Sequence, residues 1–211
     1  MSFADDLPGD LPLFPLRGAI LLPSEPLPLN VFEPRYLNML DDVRRGAGHI
    51  GIIQPGEGGT AQRPDLLAVG CAGRLDAFEE TEDGRYLIVL TGISRFRLVE
   101  EVSTPAPYRI GRADYDAYSG DVAPAEPLDG SPERLVDLTR RWFSMEGYAT
   151  DYDAMANMPV SPLVDRLAMA APFEPGERQR LLEADRGQPR RDVLENLLLS
   201  RLAGTASGSA H

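Results

Sequence analysis

Residues 11–36, LPLFPLRGAILLPSEPLPLNVFEPRY, interleave short apolar runs with prolines at 12, 15, 23, 26 and 28 and end in Phe32-Glu33-Pro34-Arg35-Tyr36. Proline has no amide hydrogen and disfavours the helical conformation of the residue before it, so no long helix crosses this segment. The pattern predicts three extended pieces, LPLF, AILL and LPLNV, joined by fixed turns. Pro34 stands where a helix starts, with Glu33 before it and an apolar-periodic run after it. That run predicts a helix over 34–45 with Tyr36, Leu37, Leu40 and Val43 on one face and Gly46 as its stop.

Outward from this stretch the signals stay mostly β as far as about Ala117. HIGIIQP (49–55) reads as a buried strand and GEGGT (56–60) as a flexible loop. LLAVGCAGRLDAFEE pairs with RYLIVLTG across TEDG, where Asp83-Gly84 supplies the positive φ of a hairpin turn. RFRLVEEV alternates Phe96, Leu98 and Glu100 against Arg95, Arg97 and Val99, and YRIGRADYDAY closes the β part. Residues 119–130, SGDVAPAEPLDG, have the composition of a linker. Beyond them the pattern is helical: Ser131-Pro132 and Ser161-Pro162 are both helix-start pairs. Leu135, Leu138 and Trp142 form one apolar face; Leu163, Val164 and Leu167 form a second. A short helix is expected at 151–157 and a third long one at about 175–184. The last, from about Pro189, turns Val193, Leu194, Leu197, Leu198 and Leu202 inward. Residues 1–10 read as an arm and GTASGSAH as a frayed tail.

The chain has 211 residues, enough for one domain with a subdomain or for two small domains. A chain of this size buries roughly 70% of its unfolded surface, so its core needs no disulfide or metal staple. Cys71 is the only cysteine, which excludes an intrachain disulfide. The acidic start MSFADDLPGD has no apolar stretch of signal-peptide kind, and no run approaches the ~18 apolar residues of a membrane span. These features predict a cytoplasmic protein. A net charge of -12 disfavours nucleic-acid backbones and anionic membranes, whose binding depends on clustered cations. Arg95 with Arg97 and Arg140 with Arg141 are the local basic pairs, read as solvated faces or salt bridges. All 21 basic residues are arginine. Without lysine there is no GxxxxGK[ST] phosphate loop, no Ser-Lys dyad and no Schiff base, because guanidinium does not lose its proton near neutral pH.

The order of these elements resembles the Lon N-terminal domain family, the substrate-binding module of Lon proteases, which also occurs as a stand-alone protein. FEPRY with its helix, the strand GIIQP, the small-residue strand VGCAGRL and the arginine-rich GISRFRLVEEV carry the resemblance, which extends over 11–203. It implies an α+β fold: an N-terminal β-rich, PUA-like pseudo-barrel with one helix (11–118), the 119–130 linker, and a C-terminal helical bundle (131–203). Lon proteases depend on a phosphate-loop ATPase and a Ser-Lys dyad, so the resemblance in a lysine-free sequence implies a stand-alone bacterial member without those domains. The expected partners are polypeptide segments or unfolded proteins, bound at a sheet edge or in an apolar groove, with a separate Lon-type protease as a further partner.

Residue chemistry offers little else. His49 has no nucleophile elbow to serve, and His49 with Cys71 lacks the close ligand spacing of a zinc site. Glu79, Glu80, Glu82 and Asp83 flank a turn. Asp114 and Asp116 share one face of an alternating strand, so paired-carboxylate chemistry is geometrically conceivable there. A hydrolase using His49 or these strand carboxylates is therefore the alternative reading, and an RNA-binding PUA-like protein the second alternative. No catalytic residue, cofactor or metal ligand is assigned. The family-motif residues Phe32, Glu33, Pro34, Arg35 and Tyr36 are expected to be architectural: Phe32 a core anchor, Pro34 the first helical turn, Glu33 at the helix's positive end, Arg35 a fork for a carboxylate or carbonyls, and Tyr36 buried area with a hydroxyl.

Overall fold

A computed structural model describes residues 7–60, 62–123 and 126–208. The chain divides between residues 124 and 125 into a β unit and a helical unit. The β unit contains β1 (Asp10–Pro15), β2 (Pro26–Val31), α1 (Pro34–Arg45), β3 (His49–Gly59), β4 (Pro64–Glu80), β5 (Tyr86–Val102) and β6 (Arg109–Asp114), then a 3-10 helix at Asp116–Val122. The sheet order is β2-β5-β4-β3-β1-β6, and β5 also pairs with β6. Five strands thereby close on themselves, and closure removes the unpaired edges that an open sheet would present. β1 runs parallel to β3, while the other pairings are antiparallel.

Several expectations change at this level. AILL is no strand; Ile20, Leu21 and Leu22 are buried in an irregular stretch that touches β5 through a single Pro23–Gly92 bridge. A Cβ at Gly92 would lie 2.1 Å from the Leu22 carbonyl oxygen, so only glycine admits this approach. GEGGT is not a free loop, because β3 continues to Gly59, paired with Pro64. RYLIVLTG and RFRLVEEV form one strand whose first half pairs with β2 and second half with β6. Gly84 takes φ 77° in the expected hairpin turn. Tyr36, Leu40 and Val43 are buried on α1 as expected, with Met39 rather than Leu37 completing the face. Residues 1–6 of the expected arm lie outside the described residues. Residues 8–10 are tied in: the Ala113 amide donates to Gly9 O at 2.8 Å and the Tyr115 hydroxyl to Pro8 O at 3.0 Å. Leu11, Leu13, Ile53, Ala72 and Phe96 form the buried centre of the barrel.

The helical unit contains α2 (Glu133–Glu146), α3 (Tyr152–Ala156), α4 (Val160–Ala170), α5 (Pro175–Glu183) and α6 (Gln188–Gly208). Trp142 stacks on Phe173 with ring centroids 5.2 Å apart and meets Phe143 edge-on at 5.3 Å. These aromatic faces pack the end of α2 against the α4–α5 connection. Ser161-Pro162 does not open α4, which begins at Val160; the Ser161 hydroxyl instead accepts the Leu128 amide at 2.9 Å. α6 also runs on through Gly204, where a tail was expected, and residues 209–211 lie outside the described residues. The expected linker starts inside the 3-10 helix, and its Pro124 and Ala125 lie outside the described residues.

Candidate functional site

The motif at 32–36 divides between interior and surface. Pro34 occupies the first turn of α1, and Glu33 precedes it in extended conformation. Tyr36 is buried with its ring 4.2 Å from Phe14, so it fastens the helix to β1. Burial raises its hydroxyl pKa, an effect opposed by the charges of Arg35 and Arg109 and reinforced by Glu33. Arg35 does meet a carboxylate, but within its own turn: Nε donates to Glu33 Oε2 at 3.0 Å and Nη2 lies 2.8 Å from it. Phe32 departs from expectation. It is 65% exposed and anchors no core, because Val31 takes the last buried position of β2.

The outer part of the β unit is a three-strand sheet formed by β2, the first half of β5 and the end of β4. Side chains alternate across its faces. Pro28, Val89 and Ala77 line up in one cross-strand row, Asn30, Leu87 and Glu79 in the next but one. Leu29, Ile88 and Phe78 form the row between and point to the other face, where α1 reaches them: the Arg44 guanidinium lies 3.8 Å above the Phe78 ring, and the Tyr86 hydroxyl donates to Asp41 Oδ1 at 3.2 Å. Among the described residues of this unit, the first face has no such cover. Leu87 is 41% exposed there, and an open groove of about 490 Å³ runs over the three rows.

The edge of this sheet is chemically one-sided. Glu25 O accepts the Gly92 amide at 3.0 Å, so odd-numbered backbone groups of β2 face β5 and Pro26, Pro28 and Asn30 face outward. Two of these three are prolines, so the outer edge keeps its carbonyls but offers one amide donor, at Asn30. That arrangement blocks regular strand addition. A segment bound here is held by side chains on the face rather than by a new ladder.

The hydrolase residues are not brought together. His49 opens β3 opposite Arg74, and its Nδ1 is buried with no hydrogen-bond partner among the described residues. Cys71 is buried in β4 opposite Ile52. Asp114 ends β6 and accepts the Asp116 amide at 2.9 Å, while Asp116 begins the 3-10 helix, so the two do not share a strand face. The acidic run ends β4 at Glu79 and Glu80 and continues into the turn at Glu82 and Asp83; Asp83 takes hydrogen bonds from Arg85 and Thr81, which hold its carboxyl well below the usual carboxylate range. No group of three or more His, Cys, Asp or Glu side chains gathers as a metal site among the described residues. No helix there is long and apolar enough to cross a membrane.

A cluster that sequence reasoning passed over surrounds Arg95. With Arg97 it was expected on a solvated face or in a salt bridge; it is in a salt bridge, to Asp121, but a buried one, with Arg95 3% exposed. Arg95 Nε donates to Asp121 Oδ2 at 2.8 Å, Nη2 to Oδ1 at 3.0 Å and the Arg95 amide to Oδ2 at 3.0 Å. Its guanidinium also lies 4.4 Å from the Tyr118 ring centroid. The contact holds the 3-10 helix to β5, a structural use with no signal in strand alternation.

A family model described as the ATP-dependent protease La (LON) substrate-binding domain matches residues 10–198. Lon protease 2 of Myxococcus xanthus is 31% identical over 184 residues, 85% of this chain and 22% of that protein. Lon protease 2 of Syntrophobacter fumaroxidans is 26% identical over 183 residues, again 85% of this chain and 23% of the relative. The chain thus spans less than a quarter of these relatives' length. Among solved structures, the Lon N-terminal domain protein from Xanthomonas campestris has a TM-score of 0.59 at 27% identity, covering 90% of this chain and 97% of that one. The N-terminal domain of Mycobacterium avium complex Lon protease has a TM-score of 0.62 at 16% identity, covering 92% and 98%, which is a likeness of fold alone.

Proposed function

Because the chain belongs to the Lon substrate-binding domain family, we propose that it is a non-catalytic polypeptide-binding module that holds unfolded or extended segments on the open sheet face of β2, β5 and β4. The observation that carries this reading is the uncovered apolar surface of Pro28, Leu87, Val89 and Ala77, with Leu87 projecting from the centre of its row. An apolar face with a few flanking polar groups, here Asn30 and Glu79, takes side chains of many sequences by burial alone. The prolines of β2 support the same reading, since they remove ladder donors that would otherwise template aggregation. A separate Lon-type protease is the partner to which such a module would deliver its cargo.

Fluorescence anisotropy with labelled apolar decapeptides tests the proposal on wild type and Leu87→Asp. Leu87 is exposed, so the variant is expected to fold normally and to bind at least tenfold more weakly. Equal binding by the two proteins sinks this surface, and no binding by either sinks the function.

A further inference from the structure

A second concavity in the β unit lies between the start of α1, the β3–β4 turn and the β5–β6 connection. It consists of two adjoining cavities of about 340 and 170 Å³ that share Arg35, Gln62, Pro107, Tyr108 and Arg109 as walls. The floor is rigid. Arg109 donates to Glu101 through Nε at 2.8 Å and to Pro64 O through Nη1 at 2.6 Å. The Tyr108 hydroxyl donates to Asp42 Oδ2 at 2.9 Å, and burial together with that carboxylate pushes its pKa up to about 12. Pro15, Pro55, Pro64 and Pro107 complete the walls; lacking amide hydrogens, they leave recognition to side-chain donors.

The charges do not balance. Glu101 serves both Arg109 and Arg63, whose Nη2 reaches Glu101 Oε2 at 2.7 Å, and Glu33 serves Arg35. Arg17 forms no ion pair among the described residues. Asp42, behind Tyr108, is met by Arg45 at 3.7 Å, so the four lining guanidiniums against Glu101 and Glu33 leave an excess of two positive charges around the cleft, on a chain whose net charge is -12. The surplus sits at the two ends. Arg17 lines only the smaller cavity, and Arg63, 67% exposed at its side chain, lines only the larger. Guanidinium forks fixed between apolar walls suit planar carboxylates.

Resting on the polypeptide-binding reading above, we propose that this cleft binds acidic polypeptide segments, with one carboxylate taken by Arg17 and Arg35 and a second by Arg63. The bound segment supplies the anions that Glu101 and Glu33 do not. It makes the module selective for apolar segments flanked by Asp or Glu.

The test uses three labelled decapeptides: one acidic, its Asn/Gln copy, and the apolar peptide that probes the sheet face. Anisotropy is read for wild type and for the double variant Arg17→Ala with Arg63→Ala, both exposed positions whose loss leaves the core intact. The acidic peptide is expected to bind wild type at least tenfold more tightly than its amide copy. That advantage should vanish in the double variant and fall steeply with added salt. Equal binding of the acidic and amide peptides, or an undiminished advantage in the double variant, would overturn the proposal. Competition by millimolar inorganic phosphate with no preference for the acidic peptide also overturns it, as the mark of a simple anion site. The apolar peptide separates the two readings: if it binds and the acidic advantage is absent, only the cleft assignment fails.

Discussion

In the β unit, Arg95 gives two side-chain donors to the two oxygens of Asp121, and both residues are almost wholly removed from solvent. In the helical unit, Arg190 is equally buried but distributes its donors. Nε goes to Leu181 O at 3.0 Å, Nη2 to Ala184 O at 3.1 Å and Nη1 to Asp165 Oδ1 at 2.7 Å. Leu181 lies in the last turn of α5 and Ala184 is its C-cap, where helical carbonyls lack intrahelical partners and carry partial negative charge. Asp165 keeps some contact with water. The first cation is met by a desolvated carboxylate, the second by a helix end and a partly hydrated acid. Strand carbonyls are largely committed to ladders, and here an acid comes from the 3-10 helix; helix ends supply carbonyls that lack intrahelical partners.

The comparison makes its strongest demand at Asp121. Asp121→Ala leaves the Arg95 guanidinium buried without its counter-charge, and the expected loss is about 3–5 kcal/mol. Urea denaturation followed by hydrogen exchange of β5 and β6 amides measures it. Replacing both partners with apolar residues, Arg95→Met with Asp121→Leu, should recover most of the loss. Asp165→Ala should cost less, about 1–3 kcal/mol, because two carbonyl hydrogen bonds remain on Arg190. The fluorescence of Trp142, the only tryptophan, follows that unit. Similar costs at the two aspartates would break the comparison by showing that the carbonyls contribute nothing to balancing the charge.

A partly exposed ion pair should show the intermediate case. The Arg109 guanidinium, through its hydrogen bonds, lowers the Glu101 pKa below its ordinary value of 4.5. A carboxylate depressed in the folded state adds stability above its unfolded pKa and loses it as pH falls through the folded value. Thermal stability is therefore expected to decline below about pH 4.5, with a flatter acid limb in Glu101→Gln. An unchanged limb in that variant would remove Glu101 from the ionic support of the β5–β6 region. The smallest effects belong to the exposed motif residues: Phe32→Ala and Arg35→Ala should each change stability by less than about 0.5 kcal/mol, read as a shift in Tm. A large loss at Phe32 would restore it to the core role that its exposure contradicts.

Legibility followed the range of the physics involved. Helix α1 was readable to its ends because proline geometry, Gly46 and a 3.6-residue period act within a few residues of one another. The faces of α2 and α4, and the hairpin turn at Gly84, were readable for the same reason. Arg95 was not. Alternation assigns it to an outer face, yet Ser94, Arg95 and Phe96 are all buried, because the strand has the barrel core on one side and the 3-10 helix on the other. Ser161 misled in the same way: a helix-start residue by type, it serves Leu128 instead. The arginines of the cleft come from α1, the start of β6 and two separate connections, and no spacing in the sequence announces that they share a wall.

By itself, the sequence determined the family, the division into a β-rich and a helical half, and the absence of lysine chemistry. These follow from local backbone restrictions, hydrophobic periods and composition, which need no knowledge of what folds against what. The tertiary structure alone decided that Tyr36 is interior and Phe32 exterior, that Arg95 needs Asp121, and that one sheet face and one arginine-lined cleft are left open. Those outcomes depend on which distant segments exclude water from a side chain, and burial is a property of the assembled chain.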